Sequence, residues 1–319
     1  MTLAILLSGQ GGQHSGMFDL TADRPEAQGI FAAATPLLGQ DPRDLVRTGA
    51  DLHANRTGQI LCCVAGLAAW TLVQAAQASQ AARPARVVVA GYSIGDLAAF
   101  GCAGLFAPET VLDLAAARAE AMDAVAGPDS GRGIPYGLAG LRGLPAERCF
   151  AMAGEHGCHP AIRNAVDSVV VGGPVEALDR LCAAALAAGA ARAVRLPVHI
   201  PSHTPLLAEA SARFAERLAE APLATPPRPA PRLLSGLDGA AVFRPEVGLA
   251  KLAAQLSQTL DWAACLESIG EFGADHVLEL GPGHALATMA RAALPDARVH
   301  ALEDFRRSAG VIQWIEDGA

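Results

Sequence analysis

A serine stands at the centre of GYSIG, residues 91–95, between a β-branched run and an alanine-rich segment. The run RVVVA at residues 86–90 predicts a buried strand, and residues 96–103 predict a helix. In a G-x-S-x-G pattern the glycines permit a tight, strained turn that exposes the serine hydroxyl at the end of a strand. The following helix directs its free N–H groups, that of Ile94 first, toward a developing oxyanion. These residues predict that Ser93 is a nucleophile in acyl hydrolysis or acyl transfer.

A serine nucleophile needs a general base within hydrogen-bonding distance, and His203 is one candidate among the nine histidines. It lies in IPSH, residues 200–203, in a predicted loop between a strand and a helix. On the residues alone, His199 in the same loop suits the role nearly as well. No acidic residue between Ser93 and His203 is an obvious partner for the imidazole.

Arg118 interrupts an apolar stripe on the helix predicted from residues 108 to 125. The other members of the stripe are all apolar: Val111, Leu114, Ala115, Met122 and Val125. A guanidinium in that position needs an anion, because burial of an unpaired charge costs several kcal/mol. The anion is either a carboxylate of the protein or the carboxylate of a substrate, which an arginine binds in bidentate fashion.

A glycine-rich turn, GQGGQ at residues 9–13, follows the predicted strand of residues 3–7. Such a turn can direct backbone N–H groups at an anion. It is equally consistent with a plain strand-to-helix loop or a nucleotide-binding turn, although it does not fit G-x-G-x-x-G.

Composition excludes several classes of function. The net charge of −8 among 319 residues argues against nucleic acid as the main partner. The longest uncharged apolar stretch, residues 60–73, is too short for a membrane span and predicts a buried core helix. Seven cysteines, an odd number with no CxxC, indicate reduced thiols in a cytoplasmic protein. The cluster HGCH at residues 156–159 matches no zinc pattern, so we predict no metal.

Strands and helices alternate along the chain, which predicts an α/β fold with a parallel sheet. Between a Gly/Pro-rich break at residues 127–133 and residue 198, the order is close to β-α-β-β-α-β, typical of a ferredoxin-like unit. We therefore predict a large, discontinuous, hydrolase-like α/β domain of residues 1–130 and 199–319. Residues 131–198 form the inserted ferredoxin-like subdomain in this prediction.

Five collinear segments resemble the malonyl-CoA:acyl-carrier-protein transacylase family. They are LSGQGGQHSGMF (7–18), GYSIGDLAAFGCAGLF (91–106), AAARAEAM (115–122), LPVHIPSHTPLL (196–207) and LELGPGHALATM (278–289). Two features depart from the family pattern: Tyr92 and Asp96 replace the histidine and glutamate of GHSxGE, and LSGQGGQ replaces FPGQGSQ. The tyrosine form is similar to the transacylase (epsilon) subunit of malonate decarboxylase.

The resemblance implies transfer of malonyl from malonyl-CoA to an acyl carrier protein through a malonyl-serine. It implies Ser93 and His203 as catalytic residues and the N–H groups of Gln10 and Ile94 as the oxyanion hole. Arg118 would bind the malonyl carboxylate, the Gln255 carbonyl would orient His203, and Asn164 would lie near the site. No cofactor is implied. The acceptor would carry a phosphopantetheine-type or CoA-like prosthetic group, and other malonate decarboxylase subunits would be possible partners.

Three alternatives remain at this level. The first is a transacylase of fatty-acid or polyketide synthesis. The second is a serine esterase or thioesterase with the order Ser…Asp…His, whose late histidine would be His276 or His284. The third is a non-catalytic carrier-docking subunit, for which an intact Ser93 and His203 would be unnecessary.

Overall fold

The computed structural model describes residues 2–49, 51–79, 85–127 and 133–318. The strands, in chain order, are Thr2–Leu7 (β1), Arg86–Gly91 (β2), Tyr136–Arg142 (β3), His159–Ala165 (β4), Ser168–Pro174 (β5), Arg192–Arg195 (β6), Arg232–Leu233 (β7), Leu260–Asp261 (β8), His276–Leu280 (β9) and Arg298–Ala301 (β10). The α-helices are Gln28–Leu38 (α1), Pro42–Thr48 (α2), Asn55–Ser79 (α3), Ile94–Cys102 (α4), Pro108–Ala126 (α5), Ala146–Glu155 (α6), Val175–Ala187 (α7), Ala208–Glu220 (α8), Pro245–Ala254 (α9), Trp262–Glu271 (α10), Ala285–Ala293 (α11) and Ser308–Asp317 (α12). Short 3₁₀ turns occur at Pro25–Ala27, Pro205–Leu207 and Leu302–Asp304.

The larger sheet is parallel, with the strand order β10-β9-β1-β2-β7. Its central strand β1 is covered on both faces: Leu3 and Ile5 belong to one apolar core, and Ala4 and Leu6 belong to another. Burial on both faces is the rule for parallel sheets and explains the uninterrupted apolar run in β1. The carboxyl ends of β1 and β2 lie side by side, since Leu7 is in register with Gly91. The predicted parallel-sheet domain is confirmed.

The smaller sheet has the order β6-β3-β5-β4-β8, antiparallel except between β4 and β8. Its elements run β3-α6-β4-β5-α7-β6, which is the predicted β-α-β-β-α-β order. α6 and α7 pack on one face of this sheet. On the opposite face, Leu138, Ile162 and Val170 pack against the large domain. β8 comes from the large domain and extends this sheet, so the two sheets are tied through the backbone.

The local sequence obscures the start of two elements. Strand β4 is the second strand of the predicted β-α-β-β-α-β order, although His159 and Pro160 at its start carry no β-branched signal. Residues 201–221 have a helical pattern, but the helix begins only at Ala208. His203 has a left-handed backbone (φ 64°), and the residue before Pro205 is sterically kept out of the α region, so neither can continue a helix.

The predicted domain boundaries stay a prediction. The first, at residues 130–131, lies within residues 128–132, outside the described residues. The second, at residues 198–199, falls in the segment after β6.

Helix α3 is the apolar core helix predicted around residues 60–73. Within the described ranges, it is the segment whose length and composition would suffice to cross a membrane. Of its 18-residue apolar window, 89% is buried inside the protein. Its side chains belong to the same core as those of α4 and α5, so its apolar character is explained by packing.

We predict that Gly95→Ala destabilises the fold severely. A Cβ at residue 95 would lie 2.1 Å from the Leu7 carbonyl oxygen, and that atom cannot move without displacing β1. We expect a loss of about 3 kcal/mol or more in the free energy of unfolding, measured in urea. The matched control is Gly29→Ala in α1, where an added Cβ meets nothing within 4 Å. This control should gain about 0.5–1 kcal/mol. Wild-type stability in Gly95→Ala would contradict the close approach of α4 to β1.

Candidate active site

Ser93 occupies the strained turn that the GYSIG pattern predicts. Its backbone has φ 57° and ψ −118°, a left-handed conformation that non-glycine residues adopt at a cost of about 1–3 kcal/mol. The turn is held by the Tyr92 N–H, which donates to the Leu7 carbonyl at 3.0 Å. A Cβ at Gly91 would lie 2.1 Å from the Asp96 nitrogen. The first glycine of the motif is therefore required by the tightness of the turn.

His203 contacts the serine directly: its Nε2 lies 2.8 Å from the Ser93 Oγ. Its Nδ1 lies 2.5 Å from the Gln255 carbonyl oxygen, and its backbone N–H donates to the Leu256 carbonyl at 2.9 Å. A carbonyl only accepts, so the proton must reside on Nδ1. Nε2 then carries the lone pair and accepts from the Ser93 hydroxyl. This is the tautomer that a general base requires.

Burial keeps the His203 imidazole neutral. Only 1% of the residue is exposed, and desolvation lowers its pKa to about 3. Desolvation is the largest cause of this lowering; the charge of Arg118 also contributes to it, while the bond to the Gln255 carbonyl acts in the opposite direction. Nε2 is therefore unprotonated at neutral pH.

The other candidate histidines do not reach the serine. His199 is exposed and borders a different cavity, together with His53. His276 lies at the first residue of β9, whereas Ser93 follows the carboxyl end of β2, so sheet geometry separates them. His284 borders the site, but its ring nitrogens lie 3.6 Å from a Glu303 oxygen and 3.3 Å from an Asp304 oxygen.

Arg118 is buried, with 1% exposure, and points at the serine. Its Nη2 lies 3.3 Å from the Ser93 Oγ, and its Nη1 donates to the Gln59 Oε1 at 2.6 Å. Nη1 also lies 3.4 Å from the Met122 sulfur. Within the described ranges no carboxylate forms an ion pair with it, and its Nε has no hydrogen-bond partner. Desolvation lowers its pKa to about 10, which leaves it charged at neutral pH.

The glycine-rich turn lies beside the serine. A Cβ at Gly9 would lie 2.9 Å from the Tyr92 carbonyl oxygen and 3.7 Å from the Ser93 Cβ. Gln10 and Ser93 border the same cavity, and the Gln10 side chain donates away from it to the Asn55 carbonyl. Ile94 is the first residue of α4, so its N–H has no acceptor within the helix. Ile94 therefore adjoins the serine and Gln10 borders the same cavity, and the role of their N–H groups as an oxyanion hole stays a prediction.

Tyr92 and Asn164 join the two sheets across the cleft. The Tyr92 hydroxyl donates to the Asn164 Oδ1 at 3.0 Å, and the Tyr92 ring packs edge-on against Trp262 at 5.4 Å. Tyr92 belongs to the nucleophile turn, while Asn164 belongs to β4. The tyrosine that replaces the usual histidine is therefore a structural link beside the nucleophile.

Asp96 is buried beneath the site. Its Oδ2 accepts from the Gly236 N–H and from the Gln255 side-chain amide, each at 3.0 Å. Desolvation raises its pKa to about 7. The Gln255 carbonyl accepts from His203, so Asp96 fixes the position of the residue that orients the base. Its position in the first turn of α4 also favours an interaction with the helix dipole.

A cavity of about 540 Å³ opens above Ser93, between the two sheets. The large domain contributes Gln10 and His203, and the small sheet contributes Leu138, Asn164 and Arg192. Such a cleft suits an extended chain that enters between the domains. In the part of the chain that the structure describes, no group of three His, Cys, Asp or Glu residues is arranged to hold a metal ion.

Two polar residues of the site, Gln59 and Asn55, are not predicted from the sequence. Both lie in the first turns of α3, whose sequence predicts an apolar core helix. An uncharged amide has no sequence signature of function. The only available signal is that Gln59 directly precedes the apolar run.

Comparison with known proteins gives a consistent family. Residues 5–293 match the family model described as "Acyl transferase domain". The malonyl CoA-acyl carrier protein transacylase of Escherichia coli K12 is 29% identical over 97% of this chain and 98% of that protein. The solved acyl-carrier-protein S-malonyltransferase of Burkholderia pseudomallei superposes with a TM-score of 0.86 at 28% identity, over 98% of this chain and 100% of that one.

A malonyl-transacylase solved in complex with its type II PKS acyl-carrier protein superposes with a TM-score of 0.87. It is 26% identical, over 99% of this chain and all of that one. The matched segment contains Ser93, Arg118, His203 and Gln255, so the whole site lies inside the region of similarity. The chain belongs to the acyl transferase domain family.

Proposed function

We propose that this protein transfers malonyl groups from malonyl-CoA to the prosthetic-group thiol of an acyl carrier protein. The observation that carries the proposal is a single constellation. A neutral imidazole lies 2.8 Å from the Ser93 hydroxyl, and a buried guanidinium without a protein carboxylate lies 3.3 Å from the same oxygen. Ser93 and His203 supply an activated nucleophile, and Arg118 supplies a binding site for an acidic acyl chain. The curated relatives named as malonyl transacylases support this substrate.

In the first half-reaction, Ser93 attacks the thioester carbonyl while the His203 Nε2 takes its proton. The N–H groups of Gln10 and Ile94 stabilise the oxyanion. As the tetrahedral intermediate collapses, the C–S bond breaks, and the Nε2–H protonates the departing CoA sulfur. The Gln255 carbonyl stabilises the transient imidazolium through its hydrogen bond to Nδ1. The product is a malonyl ester on Ser93.

The second half-reaction repeats these steps with a different sulfur. The carrier thiol enters the cleft, His203 removes its proton, and the sulfur attacks the ester carbonyl. The Ser93 oxygen leaves and regains its proton from Nε2. Throughout, Arg118 binds the malonyl carboxylate. Malonyl places that carboxylate one methylene beyond the reacting carbonyl, close to an arginine that already contacts Oγ.

The comparisons favour an acyl carrier protein of the general type as the partner. The relatives are named as malonyl CoA-acyl carrier protein transacylases, and one solved structure holds a type II PKS carrier. We therefore propose a carrier of fatty-acid or polyketide synthesis. Membership of a malonate decarboxylase rests on Tyr92, whose bond to Asn164 is compatible with either assignment. That assignment becomes the alternative.

We predict that malonyl-CoA adds one malonyl mass to the protein and that Ser93→Ala abolishes the adduct. Intact-mass measurement decides this, and an adduct that persists on Ser93→Ala would remove Ser93 from the reaction. The adduct should survive for minutes in buffer and disappear when a phosphopantetheine carrier is added. Discharge only by a malonate decarboxylase carrier would favour the alternative. Rapid release of free malonate without any carrier would indicate a hydrolase.

We predict that His203→Ala lowers the acylation rate about a hundredfold or more, as loss of a general base does. The matched control is His199→Ala, from the same loop but exposed, which should stay near wild type. Because burial lowers the His203 pKa to about 3, the neutral base persists in acid. The wild-type rate should therefore hold from about pH 7.5 down to about pH 5. Asp96, whose pKa is about 7, also titrates in this range, so half-loss of the rate near pH 6.5 would contradict this account if it persists in Asp96→Asn.

We predict that Arg118→Ala weakens malonyl transfer far more than acetyl transfer. Loss of a charge-assisted pair in a buried site costs about 2–4 kcal/mol, or thirty- to a thousandfold in kcat/KM. Acetyl-CoA has no carboxylate, so its kcat/KM should stay unchanged or rise. Arg118→Lys should rescue little, because lysine lacks the planar fork. An unchanged ratio of malonyl to acetyl kcat/KM would show that Arg118 does not bind the acyl chain.

A further inference from the structure

Arg118 is held by a chain of amide hydrogen bonds that leads away from Ser93. The Arg118 Nη1 donates to the Gln59 Oε1 at 2.6 Å, and the Gln59 Nε2 donates to the Asn55 Oδ1 at 2.7 Å. The Asn55 Nδ2 in turn donates to the Asp123 Oδ1 at 3.0 Å. The only carboxylate in this series of hydrogen bonds, that of Asp123, is therefore separated from the guanidinium by three hydrogen bonds.

The direction of the chain is fixed at both ends. The Asn55 Nδ2 has two acceptors, the Asp123 carboxylate and the Ala119 carbonyl at 3.2 Å, so its Oδ1 must face Gln59. At the other end, a guanidinium only donates, so Gln59 must present its oxygen. Gln59 is fully buried and cannot turn its amide without leaving both partners unsatisfied. It offers Arg118 an acceptor in one orientation only.

We propose that Gln59 determines the acyl-group specificity of this site by positioning Arg118 without neutralising it. An amide oxygen and a carboxylate oxygen at this position would hold the guanidinium in nearly the same place. Only the carboxylate would form an ion pair, and the arginine would then have its counter-ion within the protein. With glutamine, the charge stays uncompensated until an acyl carboxylate arrives. This inference rests on the proposed malonyl transfer.

The groups around Arg118 leave its charge without a counter-ion. The sulfur of Met122, which contacts both the Arg118 Nη1 and the Gln59 Nε2, is neutral. Two groups raise the Arg118 pKa: Cys63 is a buried thiol whose own pKa burial raises to about 12, and Asp96 directs its Oδ2 to Gly236 and Gln255. The remaining contact of the guanidinium is the Ser93 oxygen, where the acyl chain becomes attached. The carboxylate of the bound acyl chain would therefore be the first full negative charge in contact with Arg118.

The test compares Gln59→Glu and Gln59→Met with wild type, using malonyl-CoA and acetyl-CoA as probes. The measured quantity is the ratio of malonyl to acetyl kcat/KM for formation of the acyl enzyme. We expect Gln59→Glu to lower this ratio about tenfold or more, because the new carboxylate occupies Arg118 and repels the malonyl anion. Gln59→Met, which only removes the acceptor, should lower the ratio about threefold. A disturbance of Ser93 or His203 lowers both rates alike and leaves the ratio unchanged, so the ratio isolates the effect on the acyl carboxylate.

The matched control is Gln74→Glu, which makes the same chemical change on an exposed face of α3. It lies 15 residues farther along the helix, about 22 Å away, and its ratio should equal that of wild type. A wild-type ratio in folded Gln59→Glu would overturn the inference and leave the proposed function intact. If Gln59→Glu does not fold, a wild-type ratio in Gln59→Met overturns it instead. Wild-type protein that accepts neither acyl-CoA would overturn the proposed function, and the inference with it.

Discussion

Arg118 places a positive charge in the core of the protein, and its direct partners there are neutral: Gln59, Met122 and the Ser93 hydroxyl. A charge so placed is costly to bury, and the fold offers it acceptors without an ion pair. The same charge acts on its surroundings. It helps to keep His203 unprotonated, and it leaves the pocket at Ser93 attractive to an anion. The acyl preference therefore depends on one guanidinium, which also contributes to the neutral state of His203.

The elements around this charge are brought together by close backbone contacts. The nucleophile turn packs on the end of β1 so tightly that Gly95 admits no side chain, and the turn itself is so tight that Gly91 admits none. The end of α9 presents an unpaired carbonyl at Gln255, as helix ends do, and that carbonyl fixes the tautomer of His203. Asp96 links the two by accepting from the Gln255 amide. The nucleophile and its base therefore rest on a single buried network.

The parts of the site that could be predicted from sequence are those with a strong local signature. The GYSIG turn requires a strand before it and a helix after it, and both are present. Arg118 was detectable because a charge interrupts an apolar stripe. The choice of His203 over His199 came from family resemblance, and only burial and distance separate the two. The Gln255 carbonyl, the amides of Gln59 and the β4 strand lacked any local signature, because backbone acceptors and buried amides depend on tertiary contacts.

The central claim is that the uncompensated charge of Arg118 is the binding site for the acyl carboxylate. It is tested most directly by a crystal structure of the malonyl enzyme, trapped without an acceptor. We predict a malonyl ester on Ser93 whose carboxylate accepts two N–H groups of Arg118, while the Gln59 Oε1 stays on Nη1. A malonyl carboxylate that points into the open cleft, with Arg118 unengaged, would contradict the account.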